Sequence, residues 1–252
     1  MESFIQDSLQ VKIFENRELM GKSAADDIAA KICELLEIKE EINMIFAAAP
    51  SQNDVLKALV ENPSINWGRI NAYHMDEYIG LDKAAVQGFG NFLKAHIFGK
   101  VNFKSVNYIN STTVDPEAEC IRYTELLEKN PTDIVVMGIG ENGHIAFNDP
   151  DVANFNDNKA VKVVKLDDIC RQQQVNDGCF EKIEDVPKYA LTLTIPTLIK
   201  APFLFCIVPA KTKAKAVKET IYGEIDETCP ASILRTQKNA SLYLDSESAA
   251  LL

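Results

Sequence analysis

The residues best able to do chemistry lie in Gly138-Ile139-Gly140-Glu141-Asn142-Gly143-His144-Ile145-Ala146-Phe147-Asn148-Asp149, directly after the apolar run Ile134 to Met137. A short apolar run entering a glycine-rich turn predicts a buried strand that delivers a loop to a ligand, because absent side chains let backbone amides approach. His144 is one of three histidines in the chain, and an imidazole can work as acid or base near neutral pH. Asp149 follows in the same loop. The glycine spacing matches part of a dinucleotide fingerprint, but GIGENG continues into HIAFND rather than a clear helix, which argues against a nicotinamide site.

Two further segments carry candidate groups. Asp76 and Glu77 come after a predicted strand ending at His74. A carboxylate there serves as a general base if burial lifts its pKa toward neutrality, whereas an Asp-Glu pair also fits a helix cap or a solvated turn. Ser51 opens a Ser-Gln-Asn-Asp stretch that fits a helix cap, or a phosphate contact at a helix start with free amides. Lys213, within Lys211-Thr212-Lys213-Ala214-Lys215, either reaches a phosphate or lies on a solvated helix face.

These groups need elements to bring them together. Strand-length apolar runs occur at Leu9–Phe14, Ile42–Ala47, Arg69–His74, Ile134–Met137, Val161–Val164, Tyr189–Leu193, Phe203–Val208 and Ser241–Leu244. Between them, helices are predicted near Ser23–Leu36, Asp54–Glu61, Gly90–Phe98, Glu117–Glu128 and Thr212–Tyr222. Asp115-Pro116 reads as an N-cap with proline at the first helical position, and Gly223 as a helix stop. The polar stretch Asp149–Asn158 and the Gln-rich stretch Arg171–Asp177 read as long loops. The alternation predicts an α/β, doubly wound, mainly parallel sheet with helices on both faces. In such a sheet ligands bind outside the carboxyl ends of the strands, so the loops at Ala48–Ser51, Met75–Tyr78 and Gly138–Asp149 should converge.

Composition narrows the class. A chain of 252 residues, 46% hydrophobic, can bury one large core, so residues 1–252 are expected to form a single domain. A net charge of −11 argues against a nucleic-acid partner and requires that any anionic ligand be met by a local basic pocket. Six cysteines without CxxC or zinc-ligand spacing fit free thiols in a cytoplasmic protein, and no apolar run is long enough to span a membrane.

Taken together, MDEYIGL (Met75–Leu81), GIGENGHIAFNDP (Gly138–Pro150), VPKYALTLTIPTL (Val186–Leu198) and the closing Pro230-Ala231-Ser232-Ile233-Leu234 resemble the glucosamine-6-phosphate deaminase/isomerase family over nearly the whole chain. The resemblance implies a Rossmann-like fold and conversion of a hexosamine 6-phosphate, glucosamine or galactosamine, into a ketohexose 6-phosphate and ammonia. It implies no metal and no organic cofactor. By position Asp76 matches the enolising base and His144 the ring-opening acid/base. Asn142 stands where the family has an aspartate and Asp149 where it has a glutamate, the two residues that orient or charge the histidine.

At the phosphate end the resemblance assigns Lys213 and, from the altered loop Ala48-Ala49-Pro50-Ser51, the Ser51 hydroxyl. Arg171 persists from the family's lid segment. The second lid arginine is replaced by Asn176 or a neighbour, leaving Arg171 or Lys162 as the remaining cations. The Asn-Gly-His loop is similar to galactosamine-6-phosphate isomerases of the same superfamily. Two alternatives stay open: lactone hydrolysis, as in the related 6-phosphogluconolactonases, and sugar-phosphate binding without turnover. Relatives imply homo-oligomers, but no surface stripe in the sequence identifies an interface.

Overall fold

A computed structural model describes all 252 residues. The chain runs β1 (Glu2–Gln6), β2 (Leu9–Phe14), α1 (Arg17–Ile38), β3 (Ile42–Phe46), α2 (Asn53–Glu61), β4 (Ile70–His74), β5 (Asp76–Tyr78) and α3 (Phe89–Leu93). It continues through β6 (Ser105–Asn107), α4 (Pro116–Lys129), β7 (Ile134–Met137), β8 (Val161–Lys165), α5 (Asp168–Asn176), β9 (Tyr189–Leu193), α6 (Ile195–Ile199), β10 (Phe203–Val208), α7 (Ala214–Tyr222) and β11 (Ala240–Asp245). No helix is long and apolar enough to cross a membrane.

The main sheet has the order β1-β2-β11-β10-β7-β3-β4-β6. Every pairing in it is parallel except the β1–β2 hairpin. Successive residues of a strand face opposite sides, and here both sides are dry. Ile42, Met44 and Phe46 of β3 pack with α1 and α2, while Ile45 packs with Tyr123 and Leu127 of α4 and Val217 and Ile221 of α7. That split makes the fold a doubly wound α/β layer structure, as the alternation of runs predicts. Asp115 caps α4 by accepting the Ala118 amide, and Gly223 closes α7.

The chain leaves β3 toward β4 and β6 on one side, and returns to place β7, β10 and β11 on the other. The sheet order therefore reverses between β3 and β7, and the crevice at their carboxyl ends is where such sheets hold ligands.

Three expectations need correction. Val161–Val164 and Tyr189–Leu193 are strands, but they form a separate antiparallel sheet, β5-β9-β8, rather than joining the parallel one. The Gln-rich stretch is not a loop: Arg171 to Asn176 belong to α5, started by the Asp167 side chain accepting the Cys170 amide. Arginine and glutamine are good helix formers, so a helix with little apolar face still forms once it is capped and packed. Finally, Ser51 makes no capping bond to α2; it lies in a 3-10 turn, Pro50–Gln52, that leads into the helix.

Candidate functional site

One cleft opens at the carboxyl ends of β3, β4, β7 and β10. It is lined by Ala47–Gln52, Met75 and Asp76, Gly138–Gly140, His144, and Pro209, Ala210, Thr212 and Lys213, with Gln173, Gln174 and Asp177 closing one wall. The three loops expected to converge do so.

His144 sits in this wall, 8% exposed. Its Nδ1 lies 2.7 Å from Asn142 Oδ1 and 2.9 Å from Asp149 Oδ1. Both neighbours are acceptors, so a neutral ring carries its proton on Nδ1 and leaves the lone pair on Nε2, which has no protein partner. The orientation of Asn142 is set by its other contacts. Its Oδ1 accepts the His144 amide at 3.1 Å, while its Nδ2 donates to Asp149 at 3.1 Å and to Asp167 at 3.2 Å. A flipped amide would face donor against donor and oxygen against carboxylates. Burial pushes the Asp149 carboxyl up, but the hydrogen bond and charge of His144 and the Asn142 amide outweigh it and hold Asp149 below its usual range. Asp149 thus stays ionised beside the imidazole, supplying the charge that an asparagine cannot.

Asp76 and Glu77 are neighbours on β5 and point to opposite sides, so the pair separates into two jobs. Glu77 accepts the amides of Tyr78, Phe89 and Gly90, which fixes the start of α3. Asp76 lines the cleft and its carboxyl makes no hydrogen bond to the protein. Burial, reinforced by the charge of Glu77, pushes its pKa well above the ordinary carboxylate value. His74 beneath it is structural: Nδ1 donates to the Asp76 carbonyl at 2.8 Å and Nε2 accepts the Ile109 amide at 2.9 Å. Burial holds this histidine neutral, down to about 4.

Thr192 joins the two halves of the site. It pairs with Asp76 across β5 and β9, and its hydroxyl accepts the Phe147 amide of the histidine loop at 3.0 Å. Asn148 adds a bond from its amide to the Leu193 carbonyl at 2.9 Å. The small sheet, whose central strand β9 comes from the VPKYALTLTIPTL segment, therefore sets where Asp76 and His144 stand relative to one another.

At the other end of the cleft Lys213 is 5% exposed, not solvated. Burial lowers its pKa, against the charges of Asp177 and Glu141, and it has no ion-pair partner within 4.0 Å. The turn that carries it is unusual: Ala210 has φ +84°, and its amide donates to both Asp245 oxygens at 3.1 and 3.2 Å. A left-handed alanine is strained, and such strain persists where surrounding bonds over-determine it. A buried lysine without a counterion has a charge that an anionic ligand can pair.

Not every predicted cation reaches the cleft. Arg171 points elsewhere: its guanidinium donates to Asp168, to the Ile183 carbonyl at 2.6 Å and to the Val186 carbonyl at 3.1 Å, pinning α5 to the segment after it. Lys162 is bound to Asp157 and the Val152 carbonyl. Asn176 accepts from Gln172 on an exposed surface. In their place Gln173, Gln174 and Asp177 line the wall, together with Arg17 and Gln52. The Gln-rich run was the signal for the first two; nothing in the sequence marked Arg17 or Gln52.

His144, Asp149 and Cys170 offer ligand atoms within 4.8 Å of one another. Burial and then the charges of Asp149, Asp167 and Asp76 push the Cys170 thiol well up, and the other two are paired with each other, His144 Nδ1 lying 2.9 Å from Asp149.

The sequence profile of the family described as Glucosamine-6-phosphate isomerases/6-phosphogluconolactonase matches residues 15–243. The chain belongs to this family. Within it, a glucosamine-6-phosphate deaminase of Listeria monocytogenes is 34% identical over 232 residues, covering 92% of this chain and 97% of the relative. A glucosamine-6-phosphate deaminase of Bacillus cereus is 33% identical over 218 residues, covering 86% and 81%. Among solved structures, one described as a monomeric glucosamine-6-phosphate deaminase superposes with a TM-score of 0.86 at 29% identity, covering 96% of this chain and 99% of that one. A 6-phosphogluconolactonase from Thermotoga maritima superposes with a TM-score of 0.76 at 18% identity, covering 94% and 99%, a likeness of fold. The Glucosamine-6-phosphate isomerase/6-phosphogluconolactonase scaffold thus extends over nearly the whole chain, with the histidine loop at its switch point.

Proposed function

We propose that this protein is an amino-sugar-phosphate deaminase that converts a hexosamine 6-phosphate, of the glucosamine or galactosamine series, into a ketohexose 6-phosphate and ammonia. The observation that carries the reading is the joint content of one cleft: an unbonded buried carboxyl, an imidazole with one free nitrogen, and a buried lysine lacking a counterion. The two deaminase relatives support the same reading.

Each group has a step. His144 Nε2, unprotonated, takes the proton of the C1 hydroxyl and delivers one to the ring oxygen, opening the sugar; Asn142 and Asp149 hold the resulting imidazolium. Asp76 removes the C2 proton of the open 2-amino aldehyde as O1 gains a proton, giving an enaminol; its conjugate acid then returns the proton to C1 while the amine gives one up, leaving an imine at C2 and a hydroxyl at C1. Water adds to C2 and ammonia departs, giving the ketose. Lys213, the Ser51 hydroxyl and the turn at Pro50–Gln52 receive the phosphate. The carboxyl at Asp76 favours this chemistry over lactone hydrolysis, which needs no base at C2.

The test is an ammonia-release assay on glucosamine and galactosamine 6-phosphates beside a 6-phosphogluconolactone assay. Ammonia release from either amino sugar upholds the reading; lactone hydrolysis alone, or ligand binding with no turnover, sinks it. In the active assay Lys213→Met should raise KM by about 30-fold with kcat within about threefold, since a charged hydrogen bond to phosphate contributes roughly 2 kcal/mol. An unchanged KM would place the phosphate elsewhere.

A further inference from the structure

We infer that Asp167 is a positioning residue for His144, acting through Asn142, and that it ties the wall helix α5 to the acid/base histidine. This rests on the role proposed above for His144. The carboxylate of Asp167 is shared between two donors: one oxygen accepts the Cys170 amide at 2.5 Å and caps α5, the other accepts Asn142 Nδ2 at 3.2 Å. The same Asn142 amide donates to Asp149, and Asn142 Oδ1 takes the His144 amide and faces Nδ1. A continuous chain therefore runs from the first turn of α5 to the imidazole. A second tie runs parallel to it, from the Glu141 amide to Gln173 Oε1 at 2.8 Å.

The residue types fit this arrangement. Asp149 and Asp167 are both partly desolvated and repel each other. An amide NH2 has two hydrogens and can give one to each carboxylate. An aspartate in place of Asn142 would set three carboxylates around one imidazole, which like-charge repulsion in a buried site opposes. Asn142 is then suited to Asp167, so its amide is a connection rather than a defect. Since α5 also supplies Gln173, Gln174 and Asp177 to the cleft wall, seating that wall and aligning the histidine become one event.

A double-mutant cycle tests this. Asp167→Ser keeps a helix-capping hydroxyl but is too short to reach Asn142, so α5 should remain folded. In the wild-type background it should lower kcat by about tenfold, a usual size for coupling within one hydrogen-bonded network. In an Asn142→Ala background the same change should cost less than about twofold. Equal losses in both backgrounds would overturn the inference and leave Asp167 as a helix cap only.

A second readout needs no turnover. In the 15N spectrum of the free protein, His144 should carry its proton on Nδ1, and Asp167→Ser should mix the two tautomers. An unchanged tautomer in a folded variant counts against the inference even if no amino-sugar phosphate is a substrate, so its failure is separable from failure of the proposed reaction. Asn142→Asp should lower Tm, and Asn142→Asp with Asp167→Asn should recover it; a stable single variant would argue against the carboxylate crowding.

Discussion

Asp76→Asn should lower kcat for ammonia release by about 1,000-fold while leaving KM within a few fold, because the substitution keeps shape and removes the proton acceptor. The geometry explains why a carboxylate, normally a weak base, suffices. The Asp76 carboxyl is buried, has no donor to stabilise its charge, and feels Glu77 next to it, so its pKa lies well above the usual range. A carboxylate made more basic by burial is what removal of a carbon-bound proton asks for. The acid limb of kcat/KM should therefore lie above the ordinary carboxylate range and should vanish in Asp76→Asn. A limb at the ordinary value would mean that another group is titrating.

The same burial has a cost that can be measured separately. A carboxyl whose folded pKa is raised binds more protons in the folded than in the unfolded state, so stability falls as pH rises from the unfolded value toward the folded one. Above that window the ionised Asp76 destabilises the fold. Asp76→Asn should accordingly raise Tm at neutral pH and leave it unchanged well below the unfolded carboxyl value. A variant that loses activity and gains stability has lost a functional group; one that loses both has lost structure.

What could be read from the sequence divides along physical lines. Strands buried on both faces, such as Ile134–Met137 and Phe203–Val208, write themselves as apolar runs, and the loops that follow them had to meet if the strands were parallel. His144, Asp76 and Lys213 were legible for that reason. The partition of Val161–Val164 and Tyr189–Leu193 into a second sheet was not, because an apolar run records burial and says nothing of its neighbour. Helix α5 was hidden by its composition, since glutamines bury their stems through bonds such as that of Gln173 to the Glu141 amide rather than through an apolar stripe. Arg171 misled in the opposite way: a cation that a resemblance places near the substrate can be committed to backbone carbonyls in space. Asp167 could only emerge from geometry, because its partner is an asparagine 25 residues away.

Gly140→Ala should lower kcat/KM by about 100-fold or more in a protein that remains folded. The reason is contact, not backbone freedom: a methyl on Gly140 would overlap the His144 ring at Cε1, Nδ1 and Nε2. The backbone has little room to yield, because the Gly140 amide donates to the His144 carbonyl at 2.9 Å and the Gly143 amide to the Gly140 carbonyl at 3.0 Å. Gly143 is held in turn, with φ +85° and Cys229 against it. The imidazole must then swing away, and doing so breaks its bonds to Asn142 and Asp149. Ring opening would lose its proton shuttle, whereas Asp76 and Lys213, on other loops, would stay in place. A linear 2-amino-hexitol 6-phosphate, which has no ring to open, should therefore bind the variant as it binds the wild type. Overpacking should add a loss of about 1–3 kcal/mol in stability, visible as a lower Tm with an intact far-ultraviolet spectrum. Full activity in Gly140→Ala would show that the histidine works from some other position, and the proposed division of labour between His144 and Asp76 would fall with it.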